Sequence, residues 1–308
     1  MGNAMPPAIA NEKILVTGVT GRFARPIALA LAPHNHVWGL ARFTDPASRE
    51  PLESAGVRCL ALDLASPSLD SLPRDFSYVL HAGGLIPPHT ERDHHHTLEI
   101  NARATGRLMA HCRPAKGFLY CSTGGVSRYQ GHLALTEDDP LGLHIPGYHL
   151  SKIAAESVVA FASAQWRIPA VILRIGTHYG NGGGAPAVRI QRMLDGKPIW
   201  AHPDKPSIFS LIHEDDATPL TIKALTLGQT PPLVLNLGGE PASVEDYCAY
   251  AGDLLGVTPR FHYTADAYPG IWLDTTRMQR LLGPAPVPWR DGIRRLLDAR
   301  YPEHLRQP

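Results

Sequence analysis

Short apolar, β-branched runs alternate with helical stretches from residue 13 to about residue 175, and this alternation constrains the fold more than any other feature of the chain. Candidate strands are 13–17, 36–41, 57–62, 77–82, 117–122 and 169–175, with helical patterns between them. Strands separated by helices run parallel, and a parallel sheet needs helices on both faces to keep its apolar sides from water. The expected architecture is α/β, a doubly wound parallel sheet. Residues 231–308 mix short strands with helices, Leu233 to Leu237 reading as a strand and Ser243 to Leu255 as a helix.

The first strand, Lys13-Ile14-Leu15-Val16-Thr17, leads directly into Gly18-Val19-Thr20-Gly21-Arg22-Phe23-Ala24. An amphipathic stretch from about Phe23 to Leu31 follows and ends near Pro33. Strand, glycine turn and helix form the context that a dinucleotide fingerprint requires. The glycines permit a tight turn and close approach of backbone to a pyrophosphate, which the helix N-terminus then faces. Ala24 fills the third small position.

Far downstream lies Tyr148-His149-Leu150-Ser151-Lys152. On a helix, residues four apart share a face, so Tyr148 and Lys152 point the same way. A phenol ordinarily titrates near ~10. An ammonium held beside it favours the phenolate, and such a pair can exchange a proton with an alcohol or carbonyl.

The spacing Gly-x-x-Gly-x-x-Ala with Tyr-x-x-x-Lys downstream resembles the extended branch of the short-chain dehydrogenase/reductase superfamily, the epimerase/dehydratase-like proteins. Further stretches match in order along nearly the whole chain: Asp63-Leu64, His81-Ala82-Gly83-Gly84, Asn101-Ala102-Arg103-Ala104-Thr105, Cys121-Ser122-Thr123, Leu173 to Gly180, and Ile212 to Ala217. The resemblance implies a Rossmann-like sheet over residues 11–180 and a small C-terminal α+β substrate cap over 181–308, integrated with the same domain. It implies that Tyr148 is the general acid/base, that Lys152 depresses its pKa and binds the nicotinamide ribose, and that Thr123 holds the substrate oxygen, with Ser122 the nearby competitor. The cofactor side is then Gly18, Thr20, Gly21, Arg22, Phe23, Ala24, Arg42, Asp63, Leu64, His81, Ala82, Gly83, Asn101 and Gly176, besides Tyr148 and Lys152. The substrate side is Thr123, Gly124, Thr177, His178 and Phe209.

The second strand carries Ala41 where relatives that bind NAD usually carry an acid for the ribose 2′-hydroxyl, and Arg42 follows. A guanidinium there can grip a 2′-phosphate, with Arg22 assisting, so NADP is favoured over NAD. The alternative leaves Arg42 stacking on adenine without choosing. For the substrate, nucleotide-sugar relatives often carry an Asn where this chain has Thr177, and an Arg for pyrophosphate where it has Phe209. Arg189, Arg192 or Arg277 could replace that cation. These departures favour a reductase or dehydrogenase acting on a small alcohol or carbonyl. A nucleotide-sugar epimerase/dehydratase is the alternative, and a non-catalytic NADP-binding sensor a third.

A formal net charge of +1 provides no electrostatic footprint for nucleic acid or an anionic membrane, so the expected partner is a small-molecule substrate. Cys59, Cys112, Cys121 and Cys248 lack metal-ligand spacing and read as buried thiols of a cytoplasmic enzyme. His94-His95-His96 spread around a helix and read as exposed or interfacial, so no metal site is expected. Residues 1–10 read as a disordered leader, and residues 181–210, rich in Gly and Pro, as an irregular substrate lid. Ile153, Ala154, Val158 and Phe161 form an apolar stripe, and relatives often pair this helix across a homodimer.

Overall fold

The computed structural model describes residues 9–306. Its elements, in chain order, begin with β1 (Lys13–Thr17), α1 (Ala24–Leu31), β2 (His36–Ala41), α2 (Glu50–Ser54), β3 (Arg58–Ala61), β4 (Tyr78–His81), α3 (His94–Leu98), α4 (Ala104–His111), β5 (Gly117–Thr123), α5 (Pro146–Trp166) and β6 (Ala170–Ile175). There follow β7 (Thr177–Gly180), β8 (Gly183–Gly184), α6 (Ala185–Leu194), β9 (Ile199–Ala201), β10 (Ile208–His213), α7 (Glu214–Leu225), β11 (Leu233–Leu237), β12 (Pro241–Ser243), α8 (Val244–Leu255), β13 (Phe261–Tyr263), α9 (Thr276–Leu282) and α10 (Trp289–Arg300). A π-helical turn, Glu99–Arg103, joins α3 to α4. Each of the first six expected strands lies within one residue of the observed one at both ends.

The first six strands, joined by β11 at one edge, build one seven-stranded sheet, ordered β11-β6-β5-β4-β1-β2-β3. The pairings from β3 across to β5 are all parallel. Strand order reverses between β1 and β4, and in doubly wound sheets ligands bind beyond the carboxyl ends of the strands at such a reversal. Thr17, the last residue of β1, is in register with His81 at the end of β4, and His81 with Tyr120 of β5.

The chain divides into two compact units. One holds the described residues to Ser122 with Ile145–Leu173 and Thr218–Val234, and the other holds Thr123–His144, Arg174–Ala217 and Leu235 onward. The core of the first contains Leu15, Leu40, Val79, Phe118 and Ile172 from the strands, with Leu108, Ala155, Val159 and Ala162 from α4 and α5. In the second, Ile190 of α6, Leu211 of β10, Tyr247 of α8 and Ile293 of α10 pack together. Its strands form a four-stranded sheet, β12-β10-β7-β8, and a separate pair, β13-β9.

Two sequence expectations need correction. Residues 181–210 are largely regular: Gly183 and Gly184 pair with β7, and α6 and β9 follow. The glycines there take φ of +98° and +130° to turn the hairpin and launch α6, whose first turn holds Pro186. Both residue types serve here as a turn and a helix start, not as a loop. The expected leader lies outside the described residues as far as residue 8. Ile9, however, is buried, and its carbonyl accepts from Asn35 Nδ2 at 3.1 Å.

Helix α5 buries Ser151, Lys152, Ala155, Glu156, Val159 and Ala162, a partly polar face, while Phe161 of the apolar stripe is 68% exposed. Phe118 of β5 is 1% exposed. Phe118→Ala should therefore cost about 3–5 kcal/mol of stability. Phe161→Ala should change stability by no more than about 0.5 kcal/mol, both read from denaturant unfolding.

Candidate active site

The two ends of the β1/β4 reversal meet closely. Gly18 takes φ of +67°, and a Cβ there would lie 2.8 Å from the Gly83 backbone. A Cβ on Gly83 would in turn meet Leu64 at 2.7 Å. Three segments named from sequence, the glycine turn, the end of β4 and the residues after β3, thus converge with no room for a side chain. The first turn of α1 has neither an acidic residue nor a side-chain cap, and Thr20 and Arg22 before it are exposed. Such a helix start attracts an anion. Asp63 is exposed, with its carboxylate accepting the Ala65 N–H at 2.9 Å. Ala41 is buried and Arg42 exposed just past β2. The arrangement fits a dinucleotide, with Gly18, Gly21 and the α1 N-terminus toward its pyrophosphate.

Tyr148 and Lys152 occupy adjoining turns of α5 on one side. The helix start is held from outside: the Glu91 carboxylate accepts the N–H groups of Gly147 (3.1 Å) and Tyr148 (3.0 Å). Burial works to raise the Glu91 pKa, but these bonds and that from Thr90 hold it below its ordinary value. His149 is buried, and its Nδ1 accepts from the Ile145 N–H at 3.1 Å. Lys152 is 7% exposed. Its ammonium donates to the Cys121 carbonyl at 2.7 Å and to the Tyr120 hydroxyl at 3.1 Å, and lies 4.7 Å from the Tyr120 ring centre. Burial pushes the Lys152 pKa down to about 8, partly offset by Cys121 and Glu156.

Ser122 and Thr123 end up in different surroundings. The buried Ser122 hydroxyl donates to Glu156, four residues beyond Lys152 on α5. Thr123 is half-buried at the end of β5, and its Oγ1 accepts from Gly125 N at 3.2 Å. Ser122 is thus occupied within the core, whereas Thr123 lies at the strand end.

Asn101 lies on the π-helical turn, 2% exposed. Its Oδ1 accepts from Leu85 N at 2.7 Å, and its Nδ2 donates to Ser151 Oγ at 2.9 Å. Ser151 Oγ donates in turn to the Tyr148 carbonyl at 2.7 Å. Asn101 therefore braces the helix that carries Tyr148.

In the second unit, Gly124 packs so tightly that a Cβ would meet Leu273 at 2.8 Å. The Gly176 N–H donates to Leu237 O at 2.8 Å, Thr177 is buried opposite Leu211, and His178 is half-buried. Phe209 is 4% exposed and packs in the core of this unit. The Arg189 guanidinium lies 5.1 Å from its ring centre and donates to Tyr247 OH at 2.8 Å. A cavity of about 380 Å³ is lined by Val188, Arg189, Arg192, Trp200, Asp266 and Tyr268 among others. Cations and flat aromatic rings share this cavity. No cluster of His, Cys, Asp or Glu among the described residues is arranged to hold a metal ion, and His94, His95 and His96 are exposed. No described helix is long and apolar enough to cross a membrane.

Sequence reasoning missed Glu91, Tyr120 and Glu156. Glu156 had a signal, its spacing of four from Lys152. Glu91 had none, because it stands 57 positions from the N–H it caps.

This geometry agrees with the comparisons. A model of the NAD dependent epimerase/dehydratase family matches residues 14–238; the chain belongs to that family and is an enzyme. Among solved structures, UDP-glucuronic acid 4-epimerase from Bacillus cereus, in complex with UDP-glucuronic acid and NAD, is 26% identical with a TM-score of 0.82, covering 93% of this chain and 98% of that one. MoeE5 in complex with UDP-glucuronic acid and NAD is 22% identical with a TM-score of 0.81, covering 94% and 99%. DesIV, a dTDP-glucose 4,6-dehydratase from Streptomyces venezuelae, is 19% identical with a TM-score of 0.80, covering 94% and 97%. These last two show the shared fold. No curated protein matches the chain in sequence.

The depressed Lys152 pKa has a consequence for stability. Folding disfavours its protonated form, so below about 8 the buried charge costs stability. That cost fades as pH rises from about 8 toward the ordinary value of 10.5. Lys152→Met should raise the melting temperature at pH 7 by about 2–5 °C, and thermal melts toward pH 10 should show the gain shrinking.

Proposed function

We propose that this enzyme acts on a nucleotide sugar, oxidising a ring hydroxyl transiently in the course of an epimerisation or dehydration. The observation that carries the chemistry is Lys152: its ammonium is fixed at the end of β5 by Cys121 and Tyr120, one helical turn from Tyr148. In this reading Tyr148 takes the proton of the substrate hydroxyl while Thr123 holds the same oxygen. Lys152 stabilises the charge on the phenolate and faces the cofactor ribose. A nicotinamide held by this site would supply a reversible acceptor for the hydride on the substrate carbon. The proton then goes back from Tyr148 to the oxygen, leaving the redox balance unchanged.

Two observations favour this substrate class over the small alcohol that Thr177 and Phe209 suggested. The 26% identical B. cereus epimerase holds UDP-glucuronic acid and NAD. In this chain Phe209 carries a guanidinium on its ring, so a cation, Arg189, stands where its loss was expected, with Arg192 beside the same cavity. Arginine suits a diphosphate because its planar fork binds two oxygens at once, and Trp200 and Tyr268 offer faces on which a base can stack.

For the cofactor we infer that NADP is accepted, because Ala41 supplies no carboxylate for a 2′-hydroxyl and the exposed Arg42 follows it. Structural neighbours hold NAD. Fluorescence titration with NADH and NADPH decides this: Arg42→Ala should weaken NADPH about tenfold and leave NADH nearly unchanged, the loss of one charge-assisted contact. Equal effects on both would remove the preference.

The reaction is tested by incubating the protein with NAD or NADP and UDP-glucuronic acid, UDP-glucose or dTDP-glucose. A changed sugar without net reduction of the cofactor supports the reading. Reduced cofactor accumulating with simple alcohols, and no turnover of any nucleotide sugar, would replace it. Tyr148→Phe should lower turnover by about 10²–10⁴-fold while cofactor affinity stays within the range of the wild type.

A further inference from the structure

The first unit buries a bonded imidazole that the proposed chemistry does not use. His81 is fully buried at the end of β4, with both ring nitrogens bonded. Its Nδ1 lies 2.7 Å from Thr17 Oγ1, and its Nε2 lies 2.9 Å from Thr105 Oγ1. The direction of every bond follows from counting protons. Thr105 has one hydroxyl proton, and it goes to the Asn101 carbonyl at 2.8 Å, which can only accept. Thr105 Oγ1 must then accept from His81, so Nε2 carries the proton. The neutral ring leaves Nδ1 as the acceptor, and Thr17 donates to it. Thr17 Oγ1 accepts in turn from the Gly83 N–H at 3.0 Å.

This chain of bonds joins two places described above. At one end is Gly83, whose backbone abuts Gly18 in the cofactor cradle. At the other is Asn101, which reaches Tyr148 through Ser151. A charged imidazole would break the pattern, because Nδ1 could no longer accept. It would also face the ammonium of Lys152 nearby. Burial first, and Lys152 second, push the His81 pKa down to about 3, so the ring stays neutral.

We propose that His81 is a positioning residue: as its neutral Nε2–H tautomer it ties the backbone of Gly83 to that of Asn101, and so holds the cofactor cradle in place relative to the first turn of α5. The proposal rests on the functional reading above for its link to turnover, but not for its link to cofactor binding. Buried networks of this kind, when fully satisfied, hold one arrangement of the backbone, and each severed member leaves a partner unpaired.

Wild-type protein labelled with ¹⁵N is examined first by long-range ¹H–¹⁵N spectroscopy between pH 5.5 and 8.5. His81 is expected as the Nε2–H tautomer throughout, and an Nδ1–H tautomer or an imidazolium overturns the proposal. Affinity for NADH and NADPH is then measured in three variants. His81→Phe keeps a ring in the core but breaks both bonds, and Thr17→Val breaks the Gly83 arm alone. Both should weaken the tighter cofactor about tenfold, the effect of one lost buried hydrogen bond. Thr105→Val, which breaks the Asn101 arm, should leave that affinity unchanged. It should instead speed amide exchange in the first turn of α5 and lower kcat with UDP-glucuronic acid.

A residue that only filled space would tolerate phenylalanine, so wild-type cofactor affinity in His81→Phe overturns the proposal. If the wild type turns over no nucleotide sugar, the functional reading fails, while the spectrum, the cofactor affinities and the amide exchange still decide the role of His81.

Discussion

The reversal of strand order between β1 and β4 is the constraint on which the first unit depends. Parallel strands that diverge from a common point leave a crevice at their carboxyl ends, and here the close-packed backbones of Gly18 and Gly83 border it. A Cβ on Gly18 would run into the Gly83 backbone, and one on Gly83 into the Leu64 side chain. Because both strands are buried and in register, the crevice is set by sheet geometry and not by flexible side chains. The helix after β1 then presents its positive end there, unopposed by any acidic residue in its first turn.

A second requirement is the burial of an ammonium. Taking Lys152 out of water is costly, and its partners are neutral: a main-chain carbonyl and a phenol. Neutral partners compensate desolvation only partly, which is why its pKa falls. A carboxylate in direct contact would have stabilised the charge more strongly, yet would also have consumed it. The nearest one on α5, Glu156, is instead bonded by Ser122. The site therefore keeps a positive charge available to an anion that forms beside it, such as a phenolate on the preceding turn.

The sheet was legible in the sequence because strands buried on both faces read as unbroken apolar runs, and β1, β2 and β5 could be placed almost to the residue. Tyr148 and Lys152 were legible because helical spacing is a short-range rule. What escaped notice came from contacts distant in sequence. Glu91 caps α5 from another segment, and Tyr120 looks like one more aromatic in a buried strand. The buried face of α5 escaped notice because its inward positions include Ser151, Lys152 and Glu156, each satisfied by a bond that composition cannot reveal. Residues 181–210 were misread because Gly183, Gly184 and Pro186 mark a hairpin and a helix start as readily as a loop.

The π-helical turn at Glu99–Arg103 has one residue more than an α-helical turn would need between the same two neighbours. One extra residue rotates everything beyond it by about 100° around the axis. The segments His94–Leu98 and Ala104–His111 thus follow one another along the chain while their periodic patterns are out of phase. A helical wheel drawn through all eighteen positions would superimpose side chains that point in different directions. The insertion lets α4 turn Leu108 and Met109 into the core while the turn itself aims Asn101 at Ser151, two orientations that a regular helix would have had to trade against each other.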